Sequence, residues 1–271
     1  MRVFRIELNR NPIDFQIVPL FDVHFGTVNH LQSLFEKVFS YIKDNDNVYT
    51  ILGGDLAEFI NVKDKRFDFS NLAAPFKHHV DNLLSFTIDY IVDKLYPIRD
   101  KILFAIAGNH ENVIYKHYNV DVIKTIGTYL NIQYTNSYEA LAKLIFKGSK
   151  TYSYDIYVHH GFGGGKKKGA FINSLEDISG YFEASCYIVG HRHQLIISTK
   201  PYIRMNNTGT ELIEETKLLI GVGGFRRSRN FNGSPSYEER FGTFPRATGT
   251  CIISFDGYTR NKIFVSAKTF C

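Results

Sequence analysis

Two spacings of apolar residues alternate along the first two thirds of the chain. Short runs rich in Val, Ile, Phe and Tyr predict strands over Gln16 to Phe21, Val48 to Leu52, Lys101 to Ala107, Tyr152 to Val158 and Cys186 to Val189. Between them the apolar positions recur at helical spacing. Leu31, Leu34, Phe35, Val38, Phe39 and Ile42 predict a helix over His30 to Ile42, and Leu83, Leu84, Phe86, Ile88, Ile91, Val92 and Leu95 predict one over Val80 to Leu95. Shorter helices are predicted over Val120 to Leu130 and Ser174 to Phe182. The final quarter reads as mostly extended, with short strands at Leu195 to Ser198, Lys217 to Val222, Cys251 to Phe255 and Lys262 to Ala267. No repeat, low-complexity tract or long linker divides the pattern. It predicts a single α/β domain over residues 1–271, with two sheets packed together and helices outside.

Composition adds exclusions. With 271 residues, 44% hydrophobic and 22% charged, the chain can build a sizeable core and is not a disordered segment. The longest apolar runs, such as Ile102 to Ala107, fall far short of the roughly 20 residues of a membrane helix. The opening residues contain no signal-peptide core, so neither export nor membrane insertion is expected. Three cysteines, Cys186, Cys251 and Cys271, are an odd number without metal-type spacing, which argues against a disulfide framework and a thiolate zinc site and points to a reducing cytoplasm. A net charge of +5 is compatible with anionic substrates but identifies no partner.

The informative residues stand at the strand ends: Asp22-Val23-His24, Gly53-Gly54-Asp55, Gly108-Asn109-His110-Glu111, His159-His160-Gly161 and Gly190-His191-Arg192-His193. Open α/β sheets bind ligands beyond the carboxyl ends of their strands, so these five clusters are expected to converge on one site. In an extended chain alternate side chains share a face, which would pair Asp22 with His24 and His191 with His193. Any one cluster is weak evidence. Together they hold six of the ten histidines, two aspartates and an asparagine, the donor set of a metal site. His30, His78, His79 and His117 read as ordinary surface or capping residues.

The ordered set Asp22-x-His24, Gly54-Asp55-x-x-Glu58, Gly108-Asn109-His110-Glu111, His159 and Gly190-His191-x-His193 resembles the motif set of the calcineurin-like metallophosphoesterases. The resemblance implies a four-layer αββα sandwich of two mixed sheets flanked by helices, carrying a two-metal phosphoester hydrolase site. By motif, Asp22, His24, Asp55 and His193 would hold one metal, and Asp55, Asn109, His159 and His191 the other. Within the His159-His160 pair, the resemblance favours His159. It assigns His110 to the leaving group and gives Glu58 the position from which an acidic residue orients that histidine.

Two divalent cations against two anionic ligands would leave the site positive, attracting a phosphate ester and acidifying a water held between the metals for attack on phosphorus. Nitrogen and oxygen donors suit manganese, placed first, or iron, nickel, cobalt or zinc. The expected activity is a phosphodiesterase or nuclease-like enzyme acting on nucleic acid or nucleotides. The alternatives are a phosphomonoesterase or nucleotide pyrophosphatase using the same site, and last a non-enzymatic metal-holding scaffold. The segment Asp55 to Ile60 lacks the arginine of the protein phosphatases of this superfamily, which disfavours that activity. Two further segments bear on substrate choice. Gly161 to Gly169 combines glycines with Lys166, Lys167 and Lys168 and can wrap an anion or remain a solvated loop. Residues 225–246 interleave Arg226, Arg227, Arg229, Arg240 and Arg246 with Phe225, Phe231, Tyr237, Phe241 and Phe244, which suits a single-strand binding surface or a packed loop. Arg192 is left without a role.

Overall fold

The strands of the computed structural model are, in chain order, β1 (Arg2–Leu8), β2 (Gln16–Ile17), β3 (Val48–Leu52), β4 (Ile102–Ile106), β5 (Tyr134–Thr135), β6 (Glu139–Lys147), β7 (Thr151–His159), β8 (Cys186–Val189), β9 (Ile196–Met205), β10 (Leu212–Gly221), β11 (Thr250–Tyr258) and β12 (Ile263–Phe270). The helices are α1 (Gln32–Asp44), α2 (Ala74–Lys77), α3 (Leu83–Leu95), α4 (Asn109–Tyr118), α5 (Val122–Leu130) and α6 (Lys168–Tyr181). The structure describes residues 1–60, 67–165, 167–206, 208–229, 239, 242, 244–259 and 262–271.

The strands form two six-stranded mixed sheets, ordered β1-β6-β7-β8-β10-β9 and β12-β11-β2-β3-β4-β5. Their facing sides share one apolar cluster that includes Phe4, Ile6, Phe15, Ile51, Phe104, Ala142, Val158, Ile188, Cys251 and Ile253. The outer side of the second sheet is covered by the helices before residue 131. From α1, Phe35, Val38 and Ile42 are fully buried against this layer, each contributing roughly 1.5–3 kcal/mol. Among the described residues, helix α6 covers the outer side of the first sheet, setting Phe171, Leu175 and Ile178 against Tyr157, Tyr187 and Leu219. The layers therefore run helix, sheet, sheet, helix.

Several boundaries differ from the pattern. Only Gln16–Ile17 joins a ladder, although the Val18 and Leu20 amides continue to donate to Tyr49 and Ile51 carbonyls at 2.9 Å. The Val80 to Leu95 periodicity opens as a 3₁₀ turn over Val80–Asn82 before α3 begins. Strands β9 and β10 form a longer hairpin than expected, since only Leu218–Gly221 of β10 pairs with β8. Strand β6 went unpredicted because Glu-Ala-Leu-Ala-Lys-Leu favours a helix locally. Pairing with β1 on one side and β7 on the other overrides that preference.

Candidate metal centre

Strands β2, β3 and β4 are parallel neighbours in one sheet, and β7 and β8 are parallel neighbours in the other. Parallel neighbours end on the same edge, so the residues just past these five strands meet where the two sheets' carboxyl ends come together. The backbone is not extended there. Asp22 (φ 51), His24 (φ 52), Asp55 (φ 51), His191 (φ 68) and His193 (φ 46) all adopt left-handed conformations. Tight turns thus bring Asp22 and His24 into one donor group and send His193 to that group but His191 to the other, and the alternation expected from an extended chain does not apply. Asp, Asn and His tolerate this region better than other residues, yet five such positions carry strain of order 1 kcal/mol each. Close approach also dictates glycine. A Cβ on Gly108 would lie 2.2 Å from Asp55 Oδ1, and one on Gly54 would lie 2.3 Å from the Gly108 nitrogen.

Two groups of donors result. In the first, His24 Nε2 lies 3.2 Å from His193 Nε2, which lies 3.4 Å from Asp22 Oδ1. In the second, His160 Nε2 lies 2.9 Å from Asn109 Oδ1 and 3.3 Å from Asp55 Oδ2, and His191 completes the group. Donors about 2.1 Å from a cation are about 3.0 Å apart at an octahedral ion and about 3.4 Å apart at a tetrahedral one, so these spacings are those of coordination edges. Asp22 Oδ1 is buried with no hydrogen-bond partner, while its other oxygen accepts from the His191 amide at 2.8 Å. A buried carboxylate oxygen left open toward two imidazoles fits a cation.

The structure brings together Asp22, His24, Asp55, Asn109, His191 and His193, but His159 stays outside. Strand β7 explains the exchange. Ile156 and Val158 face the layer between the sheets, so the parity of the strand sends His160 to that side and His159 to the side of Tyr157 and α6. The His159 ring packs edge-on near Phe162, and its Nδ1 accepts from the Gly161 amide at 2.7 Å. His160 Nδ1 donates to the Gly53 carbonyl at 2.9 Å, which aims Nε2 into the cluster. Glu58 also departs from expectation. Its carboxylate takes His24 Nδ1 at 3.0 Å, and it is the Glu58 backbone carbonyl that accepts from His110 Nδ1.

Glu111, for which no role was expected, ties the turns together. It accepts from the Gly108 and Asp55 amides at 2.9 Å and from the Leu56 amide at 2.8 Å, joining the end of β3 to the start of α4. Its sequence signal is half of a capping box, a Glu at the third helical position reaching back to the N-cap amide, with Gly108 unable to supply the other half. Helix α4 in turn points its first amides at the cluster, and the His110 N–H donates to Asp55 Oδ1 at 2.9 Å.

The electrostatics derive from this packing. Burial pushes His24 down to about 4 despite Glu58, and it lowers His191, so both present neutral imidazoles. Burial would raise Asp22 and Asp55, but His193 beside the first and His160 beside the second outweigh it and hold both carboxyls below their usual range. Burial also opposes the charge on His160, yet Asp55 carries that ring up to about 10. His110 is raised as well, because Asp55 and Glu58 overcome its burial. The buried carboxylates thus favour the charged form of His160 and His110, while burial keeps His24 and His191 neutral.

No family profile matches the sequence, and no curated protein matches it. Solved structures of loosely similar shape include Vps29 from Cryptosporidium parvum, at 12% identity over 95% of this chain and 98% of that one with a TM-score of 0.42. Another is a predicted phosphoesterase from Streptococcus pneumoniae, at 13% identity over 94% and 90% with a TM-score of 0.35. Vps29 complexed with zinc, from Entamoeba histolytica, gives 8% identity over 95% and 100% with a TM-score of 0.38.

Beside the donors opens a cavity of about 410 Å³. His24, Asp55, Asn109, His110, His191 and His193 line it, together with Thr27, Asn29, Asn71, Gly164 and Arg226. Arg226 reaches Glu58 Oε1 at 3.6 Å. Phe225 is fully buried against Phe35, so it is a core residue and not a stacking platform. Phe231, Tyr237, Arg240 and Phe241 lie outside the described residues, as does Lys166. Arg192 is directed toward α6: it donates to the Phe162 carbonyl at 3.1 Å and Ser174 Oγ at 3.0 Å and lies over the Phe171 ring, fastening the 161–165 loop. Lys167 and Lys168 are exposed beyond that loop.

Proposed function

We propose that the chain is a calcineurin-like metallophosphoesterase that hydrolyses phosphodiesters with a pair of divalent cations. The observation carrying this reading is the convergence of two three-residue groups, Asp22-His24-His193 and Asp55-His160-His191, each with donor atoms within 4.8 Å of one another. Asp22, His24 and His193 would hold one cation, and Asn109, His160 and His191 the other, with Asp55 between them. When bound, the metal pair supplies Lewis acidity and an activated water for attack on phosphorus.

The remaining steps belong to the chain. The Glu58 carboxylate and the Gly53 carbonyl hold Nδ1 of His24 and His160, so that Nε2 of each faces inward and can serve as a ligand once a cation displaces its proton. His110 stands at the cavity with Nδ1 donating to the Glu58 carbonyl and Nε2 3.8 Å from Asp55 Oδ2. With Nδ1 donating to the Glu58 carbonyl, Nε2 is the ring nitrogen turned to the cavity, from which the protonated ring can pass a proton to the departing oxygen. A diester is favoured because the cavity is far larger than one phosphoryl group. With manganese, hydrolysis of bis(p-nitrophenyl) phosphate should exceed that of p-nitrophenyl phosphate. A monoester preference would overturn the diester assignment, and turnover of neither would overturn the enzyme.

A further inference from the structure

Arg192 is a buried cation for which the metal centre has no use. It is 8% exposed, and its Nη1 has no hydrogen-bond partner among the described residues. The other nitrogens are engaged: Nε donates to the Phe162 carbonyl at 3.1 Å and Nη2 to Ser174 Oγ at 3.0 Å, which fixes the plane of the guanidinium. No carboxylate of a described residue neutralises it. The charged neighbour that acts on it is a second cation, Arg246, which also donates to the Arg192 carbonyl. The Phe171 ring lies 5.1 Å away, but a ring face is not an in-plane acceptor for Nη1. A buried guanidinium with an open donor and no counter-charge costs free energy unless an anion supplies both.

Where Nη1 points decides the ligand. A Cβ on Gly165 would lie 3.3 Å from Nη1 and 3.0 Å from Ala170 Cβ in the first turn of α6, so the open donor ends beside the start of that helix. A Cβ on Gly163, which holds φ 75, would lie 3.3 Å from Nη2. Glycine at both positions leaves space against the guanidinium that a side chain would fill. Helix α6 is 14 residues long, and its N-cap Lys167 makes no side-chain cap, so the positive end of the helix dipole is open too. Lys167 and Lys168 add exposed positive charge. An uncapped helix start, a guanidinium donor and a glycine loop are the parts of an oxyanion cradle. Enclosure beneath the loop suits a small ion and not a head group carried on a larger molecule.

We infer that Arg192, the loop 163–165 and the first turn of α6 form a binding site for a free tetrahedral oxyanion of the phosphate type, separate from the metal centre. Gly164 lines the metal cavity, so a single loop divides the two. Calorimetric titration of the manganese-saturated protein with inorganic phosphate and with phenylphosphonate tests the site. Two phosphates per chain are expected, one at the metals and one here, against a single phenylphosphonate at the metals. Arg192→Gln should weaken the second phosphate at least about 10-fold, with manganese content showing whether His191 and His193 beside it still hold. If that variant does not fold or loses manganese, Gly165→Ala decides, because its methyl would stand 3.3 Å from Nη1 in the anion's place while every charge stays. A single phosphate that neither substitution weakens belongs to the metals and overturns the oxyanion site. A single phosphate that they do weaken supports the oxyanion site and counts against the metal centre instead. Two phenylphosphonates would show that the ion is not enclosed and overturn the free-ion assignment, and no bound phosphate at all would overturn both sites.

Discussion

At the scale of single residues, the decisive exchange is His160 for His159. The apolar alternation Tyr152, Tyr154, Ile156, Val158 already places even-numbered side chains of β7 toward the sheet interface, and continuing it one step selects His160. The signal is legible in the strand's own alternation, whereas the family motif favours His159. Replacing His160 by Ala should therefore reduce manganese affinity by at least about 10-fold, whereas His159→Ala should leave it nearly unchanged, as measured by metal analysis after dialysis. Equal losses would contradict the assignment. The left-handed backbones at Asp22, His24, Asp55, His191 and His193 were not legible, because each arises from long-range contacts that local sequence does not encode. The backbone hydrogen bonds Asp22 N to Gly54 O and His24 N to Asp55 O, at 3.1 and 3.0 Å, join segments some thirty residues apart.

At the scale of elements, strands β3 and β8 match their apolar runs to the residue, since both are buried along their whole length or nearly so. Elements went unseen where composition and context disagree. Helix α4 is rich in Asn and His and has little apolar stripe, and its start is fixed mainly by Glu111. Truncating Glu111 to Ala would strip three buried backbone amides of a charged acceptor. The expected cost is about 3 kcal/mol or more in urea unfolding, with Glu111→Gln recovering part of it through its remaining oxygen. A loss below about 1 kcal/mol would mean the turn between β3 and α4 does not depend on this carboxylate.

At the scale of the whole molecule, the apolar layer between the sheets is the foundation on which the two sets of strand ends are aligned. The α/β class and the pair of packed sheets were readable from periodicity. Which strands would neighbour one another was not, because order within a sheet is set by crossovers that local pattern does not record. That layer encloses Cys186 and Cys251, and burial pushes the Cys251 thiol up to about 12 and Cys186 well above its ordinary value, while Cys271 is exposed. Near pH 8 a thiol reagent such as Ellman's should accordingly label one cysteine in the native protein and all three after denaturation. Rapid native labelling of a second thiol would show that the sheets do not stay closed.

The central claim is that Asp55 stands between two cation sites. Metal analysis of manganese-saturated protein combined with electron paramagnetic resonance tests it most directly. Two retained ions per chain, magnetically coupled as expected for a spacing of about 3.5–4 Å, are predicted. Retention of none, or of ions that show no coupling, would contradict it.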